Sequence, residues 1–283
     1  MQSKLLFIHA LSPLHAGTGQ GVGVIDQPIA REKATNIPYL PGSSLKGVFR
    51  DACTGSNCEK IFGPKTDNVE TYAGSVSFSD ARLLLLPVRS IAGVFAWVTS
   101  PYILQRFNRD LKMINQSPLT VPDLQDDEAC LICSQDSPLV IGESQPVILE
   151  DIPLNYSSSD DLTAWGNWLA PKLFADDESG RNALKGRLCV VSDNVISFLL
   201  EIGTQITARI RIDDETKTVA KGALWYEEAL PAESILSSVV LASNVKATPE
   251  KVFKVIEDIA INSVQLGGSA TVGQGLCQTY LVS

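Results

Sequence analysis

The stretch from His15 to Arg50, HAGTGQGVGVIDQPIAREKATNIPYLPGSSLKGVFR, joins a glycine-rich loop to the start of a helix that carries two bases. Gly17, Gly19, Gly21 and Gly23 alternate, Asp26 follows, and Pro41-Gly42-Ser43-Ser44 opens a run with Leu45, Val48, Phe49 and Ala52 at helical spacing. The spacing predicts an amphipathic helix over about 43–53. Lys46 and Arg50 stand four apart and so share a face away from the apolar stripe. They lie next to a helix N-terminus whose free N–H groups and dipole favour an anion, with Ser43 and Ser44 in its first turn. Such a place suits phosphate.

The usual nucleotide loops do not fit. A Walker loop closes Gly-Lys-Ser/Thr onto its helix, and no such triplet occurs; a dinucleotide fingerprint needs Gly-x-Gly-x-x-Gly between a strand and a helix, whereas these glycines alternate and the helix begins some twenty residues later. The chain has 283 residues, 45% hydrophobic and 19% charged, enough for one elaborated domain or two small ones. The apolar run from Leu5 to Leu11 is short, is broken by His9 and reads as a first strand rather than a signal peptide. No segment approaches the roughly 20 apolar residues that cross a bilayer, so no membrane partner and a cytoplasmic location are expected.

A net charge of −9 argues at first against nucleic acid. The acidity is local, however. Between Lys112 and Lys172 there is no Lys or Arg, while Asp123, Asp126, Asp127, Glu128, Asp136, Glu143, Glu150, Asp151, Asp160 and Asp161 fall there, and the remainder of the chain holds 22 acids against 23 bases. A nucleic-acid groove must avoid that stretch, which reads as a solvated acidic surface or a contact for a basic neighbour, and basic patches can form elsewhere. The six cysteines lack a secretory setting, so a disulfide framework is not expected. Cys130-Leu131-Ile132-Cys133 has knuckle spacing that Cys53 and Cys58 could complete, but Cys189 and Cys277 sit in strand-like runs, and a structural zinc is not expected.

Periodicity predicts strands at about 4–11, 75–86, 93–99, 187–192, 236–242 and 276–282. It predicts helices from Pro101 with Ser100 as cap, around 162–169, and from Pro249 with Thr248 as cap and Val252, Val255, Ile256 and Ile259 as core stripe. The region 115–160 is turn-rich and reads as an insertion. In Thr207–Ile212 bases alternate with apolar residues, so Arg209 and Arg211 share a strand face, and the chain turns at Asp213-Asp214-Glu215 and returns to Tyr226 as a hairpin spanning about 204–228. The outer elements fit a β-α-β…β-α-β frame.

Six pieces together resemble the RAMP superfamily of CRISPR proteins, most closely the repeated backbone subunit of type III-B (Cmr) effector complexes. They are His15-Ala16-Gly17, Val24-Ile25-Asp26, the core from Ile37 to Gly47, Ser192-Asp193, the run from Gly222 to Glu228, and the glycine-rich stretch from Gly267 to Gly275. The resemblance runs from end to end. It implies one α+β domain over 1–283, a ferredoxin-like (RRM-like) palm with long insertions, and a hairpin acting as a thumb that wedges between nucleotides of a guide–target duplex. The implied partners are CRISPR RNA, single-stranded target RNA, copies of the chain itself and other Cmr-complex subunits.

Wedging matters because attack by a ribose 2′-hydroxyl needs an in-line geometry that a regular A-form helix does not allow. A carboxylate can then take the hydroxyl proton or hold a divalent cation, Mg or Mn. Asp26, after the glycines, matches the position that carries target cleavage in the family. His15, Tyr226 and Glu227 are candidates for leaving-group protonation, base stacking and metal or water positioning. Lys46, Arg50, Ser43, Ser44, Gly17, Gly19, Arg209, Arg211, Trp225, Gly273 and Gly275 are the candidate RNA contacts. With two histidines only, and His9 in an apolar strand, a two-histidine ribonuclease mechanism is not expected. A non-catalytic RNA-binding scaffold of the same fold is the alternative.

Overall fold

Leu5, Leu6, Phe7 and Ile8 form an unbroken apolar run, and the strand they build, β1 (Gln2–Ala10), is buried on both faces. Leu6 joins Phe49, Val240, Val252 and Ile256 in one core cluster. Leu5 and Phe7 point to the other face and belong to the larger cluster, which Ile8 also joins; the Phe7 ring lies 5.9 Å from Phe107 and 6.4 Å from Trp168. Each fully buried aliphatic or aromatic side chain of this kind contributes about 1.5–3 kcal/mol.

The structure is a computed structural model that describes residues 1–19, 25–64, 72–142 and 145–283, so Gly21, Gly23, Val24 and Glu143 lie outside the described residues. After β1 come β2 (Tyr39–Leu40), α1 (Gly42–Ala52), α2 (Cys58–Phe62), β3 (Val76–Phe78), β4 (Ala81–Arg89), β5 (Phe95–Thr99) and α3 (Pro101–Met113). The middle holds β6 (Ala129–Ile132), β7 (Val147–Leu149), β8 (Ile152–Ser158), α4 (Asp160–Leu173), α5 (Glu178–Arg187), β9 (Leu188–Val191) and α6 (Asp193–Ile202). The last part contains β10 (Gln205–Ile212), β11 (Val219–Ala229), β12 (Ile235–Ala242), α7 (Pro249–Ala260), β13 (Val264–Gln265) and β14 (Leu276–Val282).

Mixed α and β elements are thus organised on one large sheet in the order β13-β14-β1-β12-β4-β5-β9-β6-β8-β7. The central neighbours β14, β1, β12 and β4 are antiparallel throughout, with Leu6 opposite both Ser238 and Leu281. Beyond β4 the sheet becomes mixed, since β5–β9 and β6–β8 are parallel. α1 and α7 cover one face through Phe49, Val252, Phe253 and Ile256, while α3 and α4 cover the other through Phe107, Leu111, Trp165 and Leu169. β10 and β11 form a separate two-stranded sheet.

Several local expectations change. The region read as an insertion carries three strands, β6 to β8, which extend the sheet; they are short, and Pro153 and Asn155 give β8 a turn-like composition. The strand expected over 75–86 is two, separated at Ser79-Asp80. The helix expected at 162–169 runs from Asp160 to Leu173, with the Ser159 hydroxyl accepting from the Leu162 N–H at 3.2 Å. α5 and α6 were not foreseen. Thr248 occupies the cap position of α7 without a side-chain cap bond. Cys53 and Cys58 are joined as a disulfide between α1 and α2, against the expectation of none. Burial pushes the Cys133 thiol up to about 11. No helix among the described residues is long and apolar enough to cross a membrane.

Candidate functional site

The segment from Ile25 to Ala30 is held like a short extra strand between two others. On one side Gln27 N–H donates to Tyr226 O at 3.0 Å and Glu228 N–H to Gln27 O at 2.9 Å, so the segment lies along the outer edge of β11. On the other, Ala30 N–H donates to Ala16 O at 2.7 Å and Gly17 bridges Ile29. Asp26 sits exposed between these anchors, its Oδ2 accepting the Tyr226 N–H at 2.8 Å. His15 lies across from it in the neighbouring segment. A pocket of about 340 Å3 is lined by His15, Gly17, Gly19, Asp26, Gln27 and Pro28.

His15 is 7% exposed, and its Nδ1 lies 2.6 Å from Glu228 O. A carbonyl only accepts, so Nδ1 carries a proton there and Nε2 is the ring nitrogen left free for the site. The ring is enclosed by glycines from both ends of the chain. A Cβ on Gly17 would lie 2.6 Å from Nε2, and one on Gly268 would lie 3.1 Å from Cδ2. Gly267, at φ +73°, leaves no room for a Cβ against His15 O.

β11 alternates its side chains across its two faces. Trp225 and Glu227 share one face with Arg209, which stands opposite Trp225 on β10. The Trp225 Nε1–H donates to Glu227 Oε1 at 2.9 Å and Arg209 Nε to Oε2 at 3.1 Å. Burial raises the Glu227 carboxyl, but those two donors and the charges of Arg209 and His15 outweigh it and hold the group below the usual carboxylate range. Tyr226 points to the other face, where Ile206, Ile210 and Leu224 are also exposed. Arg211 is exposed beyond Arg209.

α1 is built as the spacing predicts, burying Leu45 and Phe49 and leaving Ser43 and Ser44 exposed and Lys46 and Arg50 half-exposed. Among the described residues neither Lys46 nor Arg50 has a carboxylate partner. The helix start differs from the expectation in one respect: Asp80 Oδ1 already accepts the Gly42 N–H at 2.8 Å, so an anion is supplied from within the chain. What the helix offers an external anion is therefore its two side-chain cations more than its dipole. Gly275 serves packing, its N–H donating to Pro13 O at 2.8 Å, whereas Gly273, at φ +84°, faces open space.

Geometry thus brings together His15, Gly17, Gly19 and Asp26, with Tyr226 and Glu227 on the adjoining strand; no residue of α1 and no residue of the loop at Gly273 is among those lining the pocket. Two residues outside the predicted set are part of this arrangement, Arg31 and Glu228, joined at 2.6 Å. Their pairing joins residues 197 positions apart and has no local signal.

A family model described as the RAMP superfamily matches residues 7–278. The chain is similar to the CRISPR system Cmr endoribonuclease Cmr4 of Pyrococcus furiosus, 36% identical over 301 residues that cover 99% of this chain and 96% of that protein. It is also similar to the CRISPR system CMR subunit Cmr4 of Saccharolobus solfataricus, 28% identical with 97% and 95% of the two chains covered. The crystal structure of oligomeric Cmr4 from Pyrococcus furiosus matches with a TM-score of 0.75 at 28% identity, over 100% of this chain and 98% of that one. The cryo-electron microscopy structure of type III-B Cmr-beta bound to cognate target RNA contains a chain of the same fold, with a TM-score of 0.74, 23% identity and 99% and 97% of the two chains covered.

Proposed function

The chain belongs to the RAMP superfamily, and from that premise we propose that it is the repeated backbone subunit of a type III-B CRISPR effector complex and an RNA-guided endoribonuclease. Its partners in this reading are CRISPR RNA, single-stranded target RNA, further copies of itself and other Cmr-complex subunits. The pocket that unites His15 with Asp26 carries the reading, together with likeness along almost the full length to a Cmr endoribonuclease. The central order β14-β1-β12-β4, with α1 and α7 as its two crossover helices, supports reading the palm as ferredoxin-like.

In this mechanism α1 holds guide phosphates through Lys46 and Arg50, and the β10–β11 hairpin parts the duplex so that one target nucleotide leaves the helical stack. Asp26, oriented by the Tyr226 N–H, takes the proton of the exposed 2′-hydroxyl. The 2′-oxygen forms its bond to phosphorus as the bond to the 5′-oxygen breaks, giving a 2′,3′-cyclic phosphate and a 5′-hydroxyl. With Nδ1 committed to Glu228 O, His15 acts as the acid in its doubly protonated form, giving the Nε2 proton to the departing 5′-oxygen and becoming the neutral ring. Glu227, fixed by Trp225 and Arg209, bounds the site on the strand side.

Among the described residues no group of three or more His, Cys, Asp or Glu is arranged to cage an ion. Asp26 alone fits a Mg or Mn ion that keeps several waters and takes its other donors from RNA phosphate, and such an ion would supply charge neutralisation at the phosphate. One observation favours the scaffold alternative, since the bond from Tyr226 N–H to Asp26 is of a kind that shapes a loop.

Asp26→Asn separates the two, because Asn keeps an acceptor oxygen while losing the charge and basicity. The expected result is a fall in target cutting of about 10²–10⁴-fold with guide and target binding unchanged. A target carrying a 2′-deoxy nucleotide at one cut site should survive there alone. Wild-type cutting by Asp26→Asn would establish the scaffold reading.

A further inference from the structure

Glu227 and Glu228 are adjacent and point to opposite faces of β11. Glu227 meets Trp225 and Arg209, whereas Glu228, 4% exposed, meets the segment that carries Asp26. Its Oε2 accepts the Ile29 N–H at 3.0 Å; its Oε1 accepts Arg31 Nη2 at 2.6 Å and the Thr204 hydroxyl at 3.0 Å. Its own backbone completes the connection. The N–H donates to Gln27 O at 2.9 Å, and the carbonyl receives His15 Nδ1 at 2.6 Å. One residue therefore touches the chain one and three positions beyond Asp26, the ring of His15, and the base of the hairpin. Through Arg31, which also donates to Leu200 O at 2.9 Å and Asn36 O at 3.0 Å, it reaches the end of α6 as well.

A buried carboxylate is costly unless its charge is matched and its lone pairs are filled. Here three donors, one of them a guanidinium, meet that condition, and two of the three, Ile29 N–H and Arg31, come from the Asp26 segment or its immediate continuation. Without the carboxylate the Ile29 N–H would have to find another partner at the point where the segment passes from β11 to the strand-like run at Gly17. Asp26 itself is exposed and is bonded to the rest through Tyr226, so its place is set by how its neighbours are tied.

We propose that Glu228, with Arg31, is a positioning residue that fixes Asp26 and His15 relative to the base of the hairpin, so that hairpin insertion and proton transfer occur at one register. The assignment rests on the catalytic reading of Asp26. Misplacing a reacting group by about 1 Å costs on the order of 10²-fold in rate, and residues that orient a functional group typically cost 10–100-fold when removed.

The test uses the assembled complex under single-turnover conditions at saturating target. Glu228→Gln retains size and one acceptor oxygen but cannot serve both Ile29 N–H and Arg31. Cutting should fall about 10–100-fold while guide and target affinities stay within about twofold. The Asp26→Asn, Glu228→Gln double variant should be no slower than Asp26→Asn, because the effect passes through Asp26. The Ile29 amide should exchange its hydrogen faster in Glu228→Gln. Thr204→Val removes one donor from the same carboxylate and gives a second, milder variant, with a loss of about three- to tenfold in cutting. Full-rate cutting by Glu228→Gln with an inactive Asp26→Asn overturns this assignment alone. A loss of cutting that merely follows a loss of RNA binding also overturns it. Full-rate cutting by Asp26→Asn overturns the catalytic reading, and this assignment with it.

Discussion

β12 and the β10–β11 hairpin are made of similar residues and meet opposite fates. β12, ILSSVVLA, lies between β1 and β4 and is buried at seven of its eight positions. The hairpin strands pair with each other and, at one point, with Gln27. There Ile206, Ile210, Ile212, Val219 and Leu224 remain 50–55% exposed. Burial in β12 is driven by removal of apolar surface from water. The hairpin obtains little of this from its own chain, so its aliphatic row is surface left for contact with something else, which under the proposed function is the parted guide–target duplex. Its other row, with Arg209, Arg211 and Trp225, is polar, so the two faces address different chemistry.

If that contrast is right, the largest effect on stability should come from the buried side. Phe7→Ala opens a cavity where Phe7 meets Phe107 and Trp168 and should cost about 3–5 kcal/mol in urea unfolding. A cost below about 1 kcal/mol would break the comparison at its buried end.

An intermediate case is the bidentate Glu32–Arg106 pair, with N···O distances of 2.5 and 2.6 Å and both side chains partly exposed. Its loss should cost about 1–2 kcal/mol, between an exposed and a buried pair. The Arg106 hydrogen bonds, opposed by burial and aided by Thr35, hold Glu32 below the usual carboxylate range. A lowered folded pKa means that the contribution is fully present above the ordinary carboxylate value and is lost as pH falls through the lowered one. Arg106→Gln should therefore reduce stability at neutral pH and flatten the acid limb of the stability curve. An unchanged acid limb would show that the pair is not coupled to folding.

The smallest effect on stability belongs to the hairpin. Ile210→Ser with Leu224→Ser should change unfolding free energy by about 0.5 kcal/mol or less, while target cutting falls. A loss above about 1.5 kcal/mol would place the hairpin inside the folding unit and remove the contrast.

The sequence made the outer frame legible because periodicity and punctuation agree there. Pro41-Gly42 and Thr248-Pro249 mark helix starts within a residue, and Leu276–Val282 reads as a strand. The middle was less legible. In α5 the glycines at 180 and 186 obscure a helix that rests on Leu184 as its one buried residue. α6 has a Ser192 cap accepting the Val195 N–H at 3.1 Å, but its apolar residues also extend the strand-like run of β9. In the candidate site, Asp26 and His15 could be singled out locally from the loop, and they line one pocket. The Arg31–Glu228 tie could not, being created only when β11 comes alongside the Asp26 segment. Cys53 and Cys58 had spacing as ambiguous for a disulfide as for a metal knuckle.

The Lys- and Arg-free stretch between Lys112 and Lys172, which carries β6, β7 and β8, has a practical consequence for mapping an assembly. Trypsin would release it as a single peptide, Met113–Lys172, and amine-reactive cross-linkers would find no attachment point along it before Lys172. A neighbour seated on this outer part of the sheet would thus be invisible to lysine-based cross-linking mass spectrometry. Carbodiimide coupling through Asp123, Asp126, Asp136, Asp151 or Asp160 would report it directly.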